Sequence, residues 1–352
     1  MRRPIGLGSE SVAGPMAAPP TKRMRVEGQD RLSTDMGRLL DAADGAQGVL
    51  AAAGLRRGND EHGGAGLFAT RALPQGFELK VPRQLVLDSH AATSTELGLA
   101  LAEAGFSSEE RMLIVLADAR ASGSRRPYAG WAATLSEAAP DVASWPPAAQ
   151  ALLAGTDLGA ALPLVEEQLG DLHHRLSALA ATLGDLCSVL SEGDLRWARG
   201  IALSRRFPAR LGMPRPVASA AAAAANTEPE AGTWGMVGGL IPLMDLLNHD
   251  PAADPELISL EATDDAFPMV CLKNRKPLKE GEQAFTNYGH DKSNEELLAG
   301  YGFALANNPA DRVNIALEVP SENGGENGVR VFSIERGGEV PLKVWRALGI
   351  LY

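Results

Sequence analysis

"NYGHDKSNEELLAGYGF" (residues 287–303) holds two Tyr-Gly pairs, Tyr288-Gly289 and Tyr301-Gly302, with Asn294 and two glutamates between them. Phe, Trp and Tyr make up 5% of the chain, and only four residues are tyrosine. Half of the tyrosines therefore stand in this stretch, each beside a residue that lets the backbone turn tightly. How this segment is read decides the fold.

Working outward, the residues leading into it, "MVCLKNRKPLKEGEQAFTNY" (269–288), read as strand, turn and strand, with Pro277 and Gly281 at the turn. A similar hairpin is predicted far upstream in "GLFATRALPQGFELKVPRQLVL" (66–87), around Pro74-Gln75-Gly76. Helical territory lies between. Ser107 and Glu110 form a capping box ahead of "RMLIVLADA". Leu169, Leu172, Leu176 and Leu179 recur at three and four residues, predicting a helix over 163–190. Asp194 is placed to cap a further helix, "LRWARGIALSRRF", which carries Arg205 one turn after Ile201. The expected class is α+β, with short strands split by a helical insert.

The expected division is a disordered tail over 1–48, a first β half over 49–95, the insert over 96–200 and a second β half over 201–315. Within that second half, 214–232 reads as a linker containing six consecutive alanines. Residues 316–352 end in "VRVFSIERGGEVPLKVWRALGILY", a hairpin turn followed by the start of a helix.

Composition bounds the function. The chain has 352 residues, 45% hydrophobic and 22% charged, enough for a sizeable core. No apolar run is long enough to span a bilayer. Two cysteines, Cys187 and Cys271, exclude a disulfide framework and a cysteine-rich zinc cluster, and fit a reducing compartment. Net charge is −11, yet residues 1–31 carry six basic against three acidic side chains, so the remainder stands at −14. An acidic body argues against nucleic acid as partner and suits a basic protein segment. The tail reads as solvated. Its "PPTKRMRVEG" matches a nuclear-import patch, and its basic first twenty-five residues match an organelle transit peptide. The compartment stays open among cytoplasm, nucleus and chloroplast.

Three separated segments carry candidate chemistry: "GGAGLFATRAL" (63–73), "GGLIPLMDLLNHD" (238–250) and 287–303. Taken singly, the Gly-x-Gly is a tight turn, His249 a core histidine and Tyr301-Gly302-Phe303 core aromatics. His173 and His174 sit on adjacent helix faces and cannot share one metal. In this order, however, the segments resemble the SET-domain protein methyltransferases, in the branch of Rubisco large-subunit lysine methyltransferase and the actin-histidine methyltransferase. The matching residues are Asp245-Leu-Leu-Asn248-His249, Tyr288-Gly289, "KSNEELL" (292–298), Tyr301-Gly302-Phe303 and Asn307-Asn308-Pro309 with Asp311-Arg312-Val313. The last residues resemble the beginning of that branch's C-terminal helical substrate-binding lobe.

The resemblance implies S-adenosyl-L-methionine as methyl donor and a lysine of a non-histone protein as acceptor, the Rubisco large subunit or another, with the enzyme a monomer and no metal. It implies donor contacts from Gly64, Gly66, Leu67, Phe77, Glu78, Arg205, Asn248, His249 and Tyr288. Here the turn before Phe77 is one residue shorter than in the family. Tyr288 is the expected catalytic residue, orienting the amine. Tyr301 and Phe303 are expected to wall the substrate channel, with Asp245 steering a cation toward its mouth. A protein-histidine methyltransferase remains an alternative on the same scaffold. Met244 stands where the actin-specific enzyme has tryptophan, which favours lysine. A silent SET peptide-binding module is the third reading.

Overall fold

The structure is a computed structural model that describes residues 43–60, 64–123, 126–207, 238–260, 268–319, 328–338 and 344. Most of the expected tail and the whole alanine-rich linker lie outside the described residues. The tail expected to 48 gives way earlier to a helix, Ala43–Ala52, whose Leu50 is buried.

Among the described residues, twelve short strands follow in chain order: β1 (Leu55–Asn59), β2 (Ala65–Ala69), β3 (Glu78–Pro82), β4 (Leu87–Asp88), β5 (Arg206–Phe207), β6 (Gly239–Leu240), β7 (Asn248–His249), β8 (Glu256–Leu260), β9 (Met269–Lys273), β10 (Gln283–Thr286), β11 (Arg312–Val319) and β12 (Gly328–Glu335). They form sheets ordered β1-β2-β10-β7, β3-β9-β8, β4-β6-β5 and β11-β12.

The two expected hairpins do not form. β2 and β3 never pair with each other, and neither do β9 and β10. Instead, Phe68 pairs with Gln283, Leu73 bridges Leu278, and Glu78 pairs with Lys273. Every step of five residues on one segment is matched by five on the other. The two segments are thus one antiparallel ribbon in a single register, bent where Pro74 and Pro277 follow or precede the bridge. A proline has no N–H for a ladder, so it interrupts pairing without necessarily reversing the chain. Leu67, Leu79, Val81, Val270 and Leu272 bury the inner face of this ribbon beneath the first two sheets.

The insert leaves and rejoins at one place. β4 before it and β5 after it both pair with β6, opposite Leu240 and Gly239. Its principal helices are α1 (Ser108–Ala121), α2 (Asp157–Ala178) and α3 (Glu192–Arg205). The Ser107/Glu110 capping box forms at the start of α1. α2 begins before the expected Pro163, because Thr156 accepts from the Gly159 amide, and it ends by 178 rather than 190. α3 is capped by Ser191, with Asp194 at the third helical position returning the bond. Asp194 thus completes the cap that it was expected to make alone. Leu113, Leu116, Leu169, Leu172, Leu195 and Ile201 close the insert's own core, each worth about 1.5–3 kcal/mol on burial. Ion pairs of Arg175 with Glu110 and of Arg196 with Glu192 and Glu166 seam the helices at the rim.

At the C-terminal end, the hairpin turn expected after 335 begins with a turn at Arg336-Gly337 and then runs outside the described residues, while 328–335 finds its partner upstream. That strand pairs along its length with 312–319, so the boundary expected at 315/316 falls inside β11. Of the helix expected beyond, only Val344 is described, and it is helical and buried.

Candidate active site

β7 and β10 run parallel, Phe285 opposite Asn248 and Thr286 opposite His249. Their register delivers Tyr288, two residues past β10, directly beside the Asn248-His249 pair. The Tyr288 hydroxyl donates to the Leu247 carbonyl at 2.8 Å. Its ring stacks on Tyr301 at 4.4 Å and on His249 at 5.2 Å, and meets Phe303 edge-on at 6.2 Å. Its peptide groups are held as well. The Tyr288 amide donates to His249 Nδ1 at 3.1 Å, and the Tyr301 hydroxyl donates to the Tyr288 carbonyl at 3.3 Å. The rings that flank Tyr288 therefore also pin its backbone.

Burial pushes the Tyr288 and Tyr301 phenols up from their ordinary pKa and pulls the His249 imidazole down. Each shift favours the neutral form, as desolvation requires. Tyr288 is thus a phenol whose proton lies on Leu247, leaving its oxygen lone pairs as acceptors. It is not a base.

The glycine loop reaches the same place. Asn248 Nδ2 donates to Asp60 Oδ2 at 2.9 Å and to the Ala65 carbonyl at 3.2 Å. Gly66 lies under the Gln283 side chain, where a Cβ would stand 2.4 Å from Gln283 Nε2. A side chain there would displace the Gln283 amide. Leu67 is wholly buried and serves the core with its side chain. Gly64 adjoins Asp60, which accepts its amide at 2.8 Å.

Asp245 and Arg205 lie beneath, one on the turn before β7 and the other at the end of α3. Arg205 Nη1 donates to the Asp245 carbonyl at 2.7 Å and approaches its carboxylate at 3.3 Å. Trp131, from the insert, donates Nε1 to the same carboxylate oxygen at 3.3 Å. The Asp245 side chain is 1% exposed. A carboxylate so enclosed does not steer cations at a mouth. It holds the insert against the strand that carries Asn248. Burial raises its pKa against the pull of Arg205. Two atoms in this cluster, Asp245 Oδ1 and Arg205 Nε, are buried without a hydrogen-bond partner. The backbone here is also strained, since Leu243 holds a φ of 72°, a region a bulky residue rarely adopts.

Helix α4 (Asn294–Tyr301) supplies the aromatic wall. Ser293 and Glu296 make its capping box. Asn294 exchanges hydrogen bonds with both peptide groups of Leu305 and donates to Asp311. Asn308 donates to Asn294 and to the Lys292 carbonyl. Arg312 pairs with Glu296 at 2.6 Å. The segments around 293–298 and 307–313 are thus two sides of one polar clasp. At the other end of α4, Gly302 has a φ of 78°, and a Cβ on it would lie 2.7 Å from Pro140 Cβ and 2.8 Å from the Pro140 carbonyl oxygen. Gly289 has a φ of 147°, the turn that carries the chain away from Tyr288.

Two expected site residues stand apart. Phe77 packs in the ribbon's core, and Glu78 pairs with Lys80 at 2.7 Å, which with that hydrogen bond as the chief cause holds its carboxyl below the usual range. No described contact joins either to Asn248 or Tyr288. The sequence reading missed Asp60, Trp131, Gln283 and Pro140. Only Asp60 had a local signal, as an acid immediately before a Gly-rich turn. Among the described residues no group of His, Cys, Asp and Glu is arranged to hold a metal, and no helix is long and apolar enough to cross a membrane.

No family model matches the chain. Among curated proteins, ribosomal lysine N-methyltransferase set10 of Schizosaccharomyces pombe is 42% identical over 80 residues, 23% of this chain and 14% of that protein. The chloroplastic [fructose-bisphosphate aldolase]-lysine N-methyltransferase of Arabidopsis thaliana is 34% identical over 88 residues, 24% of this chain and 18% of that protein. The matched part thus spans under a fifth of either relative. Among solved structures, the SET domain of LSMT bound to lysine and AdoHcy gives a TM-score of 0.67 at 20% identity, covering 91% of this chain and 71% of that one. Rubisco LSMT bound to AdoMet gives 0.65 at 20% identity, covering 91% and 70%. The fold is that of the SET domain, as the order of the motifs led one to expect.

Proposed function

We infer that this SET-fold chain is an S-adenosyl-L-methionine-dependent protein-lysine N-methyltransferase whose acceptor is a non-histone protein. The observation that carries the reading is Tyr288: a half-buried phenol fixed through its hydroxyl, ring and both peptide groups, its hydroxyl bonded to the carbonyl of Leu247, the residue before Asn248. The names of the relatives, lysine methyltransferases of ribosomal proteins and of aldolase, support the same class.

The residues suit the donor. Gly66 leaves its backbone bare beside Asn248 and the end of the Gln283 side chain, Asn248 keeps its Oδ1 unbonded among the described residues, and Arg205 Nε is a buried donor without a partner. Gly64, Gly66, Asn248, His249 and Arg205 would hold this group, which supplies an electrophilic methyl on sulfur. Tyr288 accepts an N–H of the incoming amine through its free lone pairs and aims the nitrogen. Tyr301 and Phe303 wall the amine's path and attract a cation by about 0.5–2 kcal/mol. Their apolar surroundings also lower the amine's pKa, which favours the neutral nucleophile. Alignment of this kind lowers a barrier by about 7–11 kcal/mol, so no general base is needed. The domain plan keeps the tail, the insert and the C-terminal segment, with the first boundary moved ahead of the helix Ala43–Ala52 and the last moved out of β11, and the monomer acting alone on its protein substrate.

The test is transfer of a radiolabelled methyl to proteins of a cell lysate and to Rubisco, comparing wild type with Tyr288→Phe. We expect label on lysine, and a large loss in the variant. Label on histidine, or label undiminished in the variant, would overturn the reading.

A further inference from the structure

We propose that Asp60 is a positioning residue of the donor pocket, a carboxylate latch that sets both the glycine loop and the polarity that Asn248 offers a ligand. The proposal rests on the reading above. Asp60 stands just after β1, and both of its carboxylate oxygens are engaged. Oδ1 accepts the Gly64 amide at 2.8 Å, and Oδ2 accepts Asn248 Nδ2 at 2.9 Å. The Asp60 amide in turn donates to the Gly64 carbonyl at 2.8 Å. Asp60 and Gly64 are therefore joined by backbone and side chain together.

The consequence for Asn248 follows from counting hydrogens. A primary amide has two N–H bonds and one oxygen. Both partners of Asn248 Nδ2, the Asp60 carboxylate and the Ala65 carbonyl, are pure acceptors, so both hydrogens are spent on the loop. What Asn248 can present to a ligand is Oδ1 alone, an acceptor. It is thereby matched to a donor such as an ammonium and mismatched to a carboxylate. A neutral partner at position 60 would fix the amide less firmly, since hydrogen bonds to a charged group are roughly twice as strong. The glycines keep the latch tight. A Cβ on Gly64 would stand 3.0 Å from Asp60 Oδ2, and one on Gly66 would strike Gln283 and approach Asn248 Nδ2 at 3.3 Å.

Asp60→Ala and Asp60→Asn in the full chain test this, with AdoMet titrated calorimetrically and transfer rates measured while AdoMet is varied. Alanine removes both acceptors. Asparagine keeps one carbonyl oxygen but turns an amide toward a donor. We expect the Kd and KM for AdoMet to rise about tenfold in the alanine variant and about threefold in the asparagine variant. We expect kcat at saturating AdoMet to stay within about twofold of wild type. A role confined to folding would lower thermal stability without this split or this grading. Unchanged AdoMet affinity in either folded variant, or a loss confined to kcat, overturns the proposal. Should the alanine variant not fold, the near-isosteric asparagine variant decides alone. Wild type that binds no AdoMet would instead sink the proposed function.

Discussion

Gly302 and Gly105 form a natural matched pair. Both are glycines in the left-handed region, with φ of 78° and 82°. Around Gly105 an added Cβ meets nothing within 4 Å, whereas at Gly302 it would lie 2.7 Å from Pro140 Cβ and 2.8 Å from the Pro140 carbonyl oxygen. Alanine at either site adds left-handed strain of about 1–2 kcal/mol, offset in both by the stiffer unfolded chain, about 0.4–1 kcal/mol. These contributions cancel between the two variants. The remaining difference is the collision with Pro140, which backbone atoms cannot relieve cheaply, and overpacking of this kind costs about 1–3 kcal/mol. Urea unfolding should therefore show Gly302→Ala less stable than Gly105→Ala by about that amount. Because Tyr301 and Phe303 flank the glycine, Gly302→Ala should also raise the KM for the acceptor protein while leaving that for the donor near wild type. Equal stability loss in the two variants would refute the claim that the insert braces the aromatic wall at this contact.

The imidazole of His249 is depressed by burial, with Asp250 opposing and His290 assisting. Its contribution to stability is present above the unfolded value of 6.5 and is lost as pH falls through the folded value. Wild type should lose stability between about pH 7 and pH 5 more steeply than His249→Gln, measured as urea midpoints, and parallel curves would contradict the neutral-acceptor role. Trp131→Phe removes a donor from a buried carboxylate that already has one oxygen unpartnered, so unfolding free energy should fall by about 1–3 kcal/mol. A change within error would mean that Asp245 is satisfied by Arg205 alone. Tyr288→Phe should cost only about 0.5–1.5 kcal/mol of stability, because its ring contacts survive, so a collapse of the fold in this variant would show that its loss of activity is not chemical.

What could be read in the sequence was what is local in it. The Ser107/Glu110 box and the Asn248-His249 pair are set by neighbours a few positions away, and both stand where the pattern put them. The ribbon could not be read in this way. Alternation and a Pro-Gly turn say that a segment is extended and bends, but not whether its partner lies across the bend or some two hundred residues further on. Both segments carry the same signature, because each is half of the same ribbon. Glu78 likewise is placed by register rather than by the turn before it, opposite Lys273 of β9. Asp245 was misjudged differently. Its burial depends on Trp131 arriving from the insert, a contact that no spacing around 245 encodes.

The two halves of the proposed site are built on different supports. The donor side hangs on strand register: β2, β10 and β7 bring Gly66, Gln283 and Asn248 together, and a slip of one residue would turn every side chain to the opposite face. The acceptor side hangs on a helix end, α4, held at one terminus by the Asn294–Asn308–Asp311 clasp and at the other by Pro140 of the insert. Side-chain changes in the insert can therefore reach Tyr301 and Phe303 without disturbing the strands that hold Asn248. Trp131 and Thr134 are exceptions among the described residues, since Trp131 bonds to the strand-side Asp245 and the Thr134 carbonyl accepts from Arg57 of β1. Substitutions around Pro140 should accordingly alter acceptor recognition alone, and those around Trp131 should alter both sides.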